Sequence, residues 1–263
     1  MSDLRYCIVV AVCMMGLTSK GGLCFAASVG EHPGWKVGDQ WTVRTWYAVG
    51  MIPGDKRPPI YVRKGAEVLV SFSVSMIKEI EGQSCYEVRV VYPPDETGFQ
   101  DRYLLYYRTD TFKLVRVVNN SLRTDGSVVD SVERFRIDEN GPTIVSGSYQ
   151  SAVPFSFPDL NCGDTERTDA DKYAHRQVVT TRVAKDADGG EHTEREFVLA
   201  YSKNNYERKT VLTWVDGEPW WRHAIKYRDI SSERKGEIAG EAELVEFTTD
   251  GTRRVIKPKQ DEE

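Results

Sequence analysis

The sequence predicts a mainly β protein: a large antiparallel meander curled into a partial (half) barrel, or a closed barrel or sandwich, with little helix. Three observations lead there. Apolar and polar residues alternate with period two along most of the chain beyond residue 40, the pattern of strands with one face buried and one wet. Pairs that favour tight hairpins punctuate these runs: Glu81-Gly82, Asp125-Gly126, Asn140-Gly141-Pro142, Asp188-Gly189-Gly190, Asp216-Gly217 and Asp250-Gly251. No stretch carries the apolar spacing of a long amphipathic helix, so the connections are too short for the crossovers that parallel strands require.

Residues 1–26 read as an export signal. Arg5 precedes the apolar run Tyr6–Leu17, and the segment exits through Cys24-Phe25-Ala26, with cleavage expected at Ala26. About twelve apolar residues fall short of the ~20 that span a bilayer as a helix, so the run is not a membrane-spanning anchor. The expected location is periplasmic or extracellular. Residues 27–256 form a single β-rich domain, and residues 257–263, rich in charge, form a disordered tail.

In chain order, Gly38-Asp39 makes a turn that starts the first strand, Trp41–Tyr47, with Trp41 as its core anchor. Val68–Met76 follows, with Val68, Val70, Phe72, Val74 and Met76 on one face and Leu69, Ser71, Ser73 and Ser75 on the other. Further strands are predicted at Tyr86–Tyr92, Arg102–Arg108, Lys113–Val118, Ser131–Ile137, Gln177–Val183, Glu196–Tyr201, Lys209–Val215, Trp220–Tyr227 and Ala242–Thr248. The polar, turn-rich stretch 158–172 marks a weak division between two halves. An even-length loop at Asp216-Gly217 would put Trp214 and Trp221 on one face and Trp220 on the other.

The net charge of −5, with both signs mixed along the chain, argues against a nucleic-acid partner. Of five cysteines, Cys85 and Cys162 remain after the signal is removed. In an exported protein such a pair most simply forms a disulfide. Closing that loop of roughly 77 residues would stabilise the chain by about 4 to 5 kcal/mol in the chain-entropy model.

No catalytic, cofactor or metal motif closes. His192 and Glu194 share a strand face and His175 lies upstream, yet no helical histidine pair or Cys-His cluster accompanies them. The run Asp186–Glu191 opens like a calcium loop but has Glu191 where the sharp turn needs glycine and Phe197 where a bidentate glutamate belongs. Gly-x-Ser-x-Gly is missing. No cofactor, no metal ligand and no catalytic residue is therefore assigned.

A meander with one apolar face and few helices to cover it must fold on itself, and a curled sheet offers a concave site for an apolar small molecule, a lipid or a protein partner. The residues expected to line such a groove are Val70, Phe72, Val74, Met76, Tyr103, Leu105, Tyr107, Leu212, Trp214 and Trp221. The resulting expectation is an exported, soluble, non-enzymatic β-sheet protein that binds an apolar or amphipathic ligand or a partner chain. A second reading is a carbohydrate-active or carbohydrate-binding protein using Trp220, Trp46 or Tyr106 as exposed stacking platforms. A third is a structural envelope or assembly role. The sequence does not specify the oligomeric state.

Overall fold

The structure is a computed structural model and describes residues 33–49, 63–123, 125–138, 141–143, 155, 157, 160, 163–168, 174–185, 189–203, 206–228 and 237–256. The expected signal (1–26) and tail (257–263) lie outside these residues. Among the described residues there is no helix. Fifteen strands form one sheet. They are β1 (Gln40–Val49), β2 (Arg63–Lys64), β3 (Val68–Ile80), β4 (Gln83–Val91), β5 (Arg102–Arg108), β6 (Leu114–Leu122), β7 (Val128–Asp138) and β8 (Gly141–Thr143) in the first half. The second half holds β9 (Thr165–Thr168), β10 (Ala174–Lys185), β11 (Glu191–Lys203), β12 (Tyr206–Val215), β13 (His223–Arg228), β14 (Glu237–Thr249) and β15 (Thr252–Val255).

The order across the sheet is β8-β7-β6-β5-β4-β3-β1-β14-β13-β12-β11-β10-β9, with β15 beside β14 and β2 beside β1. Two antiparallel meanders therefore meet at β1, which pairs β3 on one side and β14 on the other. Two of the predicted turns, Glu81-Gly82 and Asp250-Gly251, form as the sequence predicts, while Asn140 and Asp188 of two others lie outside the described residues. Glu81 and Gly82 have φ of 51° and 75°, and Asp250 and Gly251 have 50° and 73°. Two consecutive positive φ values make the hairpin turn whose twist matches its strands. At the start of β1, Gly38 (φ 101°) donates its N–H to Val74 O at 2.9 Å, tying the turn to β3.

The sheet curls without closing, and one side chain demonstrates the curl. Tyr107 on β5 and Trp214 on β12 stand six places apart in the strand order. A flat sheet would separate them by about 29 Å. Both rings nonetheless lie 5.7 Å from the ring of Phe157. The two ends of the order, β8 and β9, do not pair with each other among the described residues.

Strand β8 lies at one edge of the order and β9 at the opposite edge, so the chain crosses between the two edges after Thr143 and before Thr165. The described part of this crossing passes through the hollow: Phe155, Phe157 and Leu160 are buried in the main core. The first part of the stretch read as a weak division thus falls where the chain crosses between halves of one continuous sheet.

Candidate functional site: the concave face

Alternation along each strand sends Val43 and Trp41 of β1, Val70, Phe72 and Val74 of β3, Val88 and Val90 of β4, and Leu105 and Tyr107 of β5 to the inner face. The second half adds Phe197 (β11), Leu212 and Trp214 (β12), Ala224 (β13) and Leu244 (β14). Among the described residues, segments outside the strands cover this face, Phe112 of the β5–β6 connection included. The lead-in before β1 supplies Trp35, whose Nε1 donates to Pro219 O at 2.7 Å. The β12–β13 connection supplies Trp220 and Trp221. The crossing segment supplies Phe155, whose carbonyl accepts a 2.5 Å bond from the Tyr107 hydroxyl.

Phe157 sits at the centre. Its ring lies 5.7 Å from Trp35, 5.7 Å from Trp214, 4.9 Å from Trp220 and 5.0 Å from Trp221. Most of these pairs are edge-to-face, the favoured aromatic geometry. Among the described residues the buried indole N–H groups of Trp41, Trp214, Trp220 and Trp221 have no hydrogen-bond partner.

The residues expected to line an open groove are brought together on this face with one exception, but among the described residues they pack as a core. Val70, Phe72, Val74, Leu105, Tyr107, Leu212, Trp214 and Trp221 are all at most 2% exposed. Tyr103 is half-buried and packs against them. Met76 is 42% exposed. A register shift between Val74 and Met76 explains it: the bulge breaks the alternation and turns Met76 to the outer face, opposite Glu87. Trp220 also departs from expectation. Strand pairing resumes only at Thr213↔His223, so Trp220 lies in a long connection that folds back over the hollow, beside Trp221. Sequence reasoning missed Phe155, Phe157 and Leu160, although the alternating apolar triplet Val153, Phe155, Phe157 inside a polar region carried the signal.

Toward the other ends of β10 to β13 the same face opens to water. Along β12 it passes from buried Leu212 through half-buried Thr210 to exposed Arg208. Lys226, two residues beyond buried Ala224 on β13, stands between Thr210 and Gly240 in the register. Burial pushes its ammonium down to about 8. His175 and Tyr201 meet edge-to-face at 5.0 Å nearby in this rim. Gln177 holds the crossing segment down by donating Nε2 to Gly163 O at 3.0 Å.

The outer face carries polar clusters. Glu87 is buried there, accepting bonds from Ser75 Oγ at 2.6 Å and the Tyr106 hydroxyl at 3.2 Å. Burial, reinforced by Glu87, pushes Tyr106 up to about 12. Trp46 Nε1 donates to Glu241 Oε2 at 2.9 Å, and His223 Nε2 lies 2.5 Å from Glu241 Oε1. Of the three proposed stacking platforms, Trp220 at 1% and Tyr106 at 4% exposure are unavailable, because both pack in hydrophobic clusters. Trp46 is half-buried. His192 and Glu194 do share a face, 3.2 Å apart, but Arg182 engages Glu194 at 2.7 Å and His175 projects to the opposite face of the sheet. Among the described residues no group of three or more His, Cys, Asp or Glu gathers to hold a metal ion.

The expected disulfide is not formed at Cys85, which is a free, buried thiol. It lies on the outer face with Ile80, Tyr106 and Val118, its Sγ 3.5 Å from Gln83 O. The crossing segment that carries Cys162 packs Leu160 against the inner face. Cys162 itself lies outside the described residues.

Fold and face together define the class: an open, curled antiparallel sheet whose concave side is filled by its own crossing segment. No protein-family model and no curated relative matches the chain. One solved structure is similar, that of a Bacteroides fragilis protein of YmcC-like fold inferred to be exported, with a TM-score of 0.33 and 8% identity over 81% of this chain and 97% of that one. A likeness at that level carries no argument about this chain.

Proposed function

We propose that the protein is exported and non-enzymatic and that it binds an amphipathic ligand, a lipid or acyl chain, on its concave sheet face, where its own crossing segment sits when no ligand is bound. Export rests on the pattern from Arg5 to Ala26. The observation that carries the binding reading is the set of four buried indole donors without acceptors among the described residues: Trp214, Trp220 and Trp221 pack on Phe157, and Trp41 stacks on Trp220. A buried donor without a partner costs about 1–3 kcal/mol, and buried tryptophan N–H groups ordinarily find acceptors. A ligand with ester, amide or carboxyl oxygens on an apolar body would supply them. The wet rim beside Lys226, Thr210 and Arg208 suits the polar end of such a molecule, one strand step from the apolar interior.

The test is a fluorescence titration with a polyene fatty acid on the full chain and on Phe157→Ala. The reading expects the variant to bind at least ~10-fold more tightly, because the intramolecular competitor has lost its central ring. Circular dichroism confirms that the variant is folded. Absence of saturable binding in both proteins, with the fold intact, would overturn the reading.

A further inference from the structure

Strand β10 is twelve residues long, and β11 pairs with its whole inner side, but β9 covers the outer side only from Ala174 to Gln177. The remaining outer edge, Val178–Lys185, has no strand partner among the described residues. The direction of its backbone groups follows from one bond. The Val179 N–H points outward, donating to Asp164 Oδ1 at 2.9 Å. In an antiparallel strand every second residue turns both peptide groups the same way, so Thr181, Val183 and Lys185 also present theirs at the open edge. Thr180, Thr181, Arg182 and Val183 are all exposed. Val183, at 70%, is the most exposed large apolar side chain among the described residues.

We infer that this edge is a self-association site at which β10 of a second copy of the chain pairs antiparallel with β10, Val183 opposite Val183, joining two half-barrels into one continuous sheet. The sequence of the edge selects that occupant and that register. A two-fold axis sets one residue of the edge opposite itself; centres at Ala184 or Lys185 would pair three or fewer residues of β10, which leaves Thr181, Arg182 or Val183. Centring on Thr181 would set the second strand against Val179 and Gln177, positions already held by Asp164 and by Thr165 of β9. Centring on Arg182 would oppose two guanidinium groups directly, which is destabilising.

Centring on Val183 avoids both conflicts. Thr181 then faces Lys185, Arg182 faces Ala184, and the two exposed valines cover each other. The nearby charges are already balanced within each copy. Arg182 is bonded to Glu194 through Nε at 2.8 Å, and Lys185 lies 3.5 Å from Glu191. With Arg182 and Lys185 already paired inside the copy, a second identical edge brings no uncompensated charge, and its Val183 supplies the apolar cover that the exposed Val183 lacks. An uncovered edge of this kind is a template for strand addition.

The experiment is sedimentation velocity on the full chain over a micromolar to 0.2 mM range, with two variants. Thr181→Pro removes an outward N–H that makes no bond to β11, a change that an edge strand tolerates. Val183→Cys places two thiols across the axis at a Cα separation of about 5.5 Å, within reach of a disulfide. The expected result is a wild-type dimer, a monomeric Thr181→Pro with native circular dichroism, and a Val183→Cys dimer cross-linked on mild oxidation while Arg182→Cys is not. A wild-type chain that stays monomeric throughout, or a dimer that survives in Thr181→Pro, overturns the inference. If Thr181→Pro does not fold, the cross-link decides alone: its absence in Val183→Cys overturns the proposed register and site.

Discussion

Phe157 concentrates the physics of the molecule in one side chain. Its ring touches residues contributed by both halves of the sheet, by the lead-in before β1 and by the β12–β13 connection, so removing it opens a cavity that no single strand can shift to fill. Phe157→Ala should destabilise the protein by about 3–5 kcal/mol, read from the urea midpoint at unchanged slope. Lys226 makes the opposite kind of statement. Burial lowers its pKa from 10.5 to about 8, so between these values the unfolded chain binds more protons than the folded one, and stability rises with pH. The cost relative to an exposed lysine is on the order of 3 kcal/mol below pH 8 and fades as pH approaches 10.5. Lys226→Met should accordingly be more stable than wild type at pH 7, with the difference shrinking by pH 10, as measured by paired thermal melts. Cys85 is also marked by burial, which pushes its thiol pKa up. It should react with a thiol-specific reagent only slowly until denaturant is added. These environments escape sequence reading, because the face Lys226 takes depends on where pairing resumes after the long β12–β13 connection, and the pattern around Cys85 does not show what packs on the outer face.

The strands were legible because strand periodicity is a local property. Every run predicted from alternation corresponds to a strand, and the one misplaced start is Trp220, where a long connection stands in place of a tight hairpin. The two-residue turns have the clearest mechanism. Gly82 holds φ of 75° and Gly251 holds 73°, so Gly82→Ala or Gly251→Ala should each cost about 1 kcal/mol, measured by equilibrium unfolding. Glu81, at φ of 51°, strains a residue that prefers the other side of the map. Glu81→Asn should therefore raise stability by a few tenths of a kcal/mol, since asparagine tolerates that region better. The strands that alternation missed, β2, β8, β9 and β15, have two to four residues each and exist because a longer neighbour templates them.

For the whole molecule, the deciding feature is where the chain crosses. Two meanders of similar grammar each carry one apolar face, and the sequence requires only that those faces be covered. A groove and a packed interior satisfy that requirement equally well when only strand patterns are known. Because β8 and β9 fall at opposite edges, the connection between them must traverse the half-barrel, and its apolar residues turn the expected groove lining into a core. The sequence by itself determined the β class, the antiparallel order, the hairpin turns and the inner-face identity of nearly all the groove residues, since each follows from contacts a few residues apart. Only the tertiary structure decided that the hollow is filled, that Trp220 and Trp221 share it, that Cys85 and the crossing segment's Leu160 lie on opposite faces, and that among the described residues part of β10 has no strand beside it. Those outcomes depend on which strands end up at the edges, a consequence of pairing between residues far apart in the chain that no local pattern encodes.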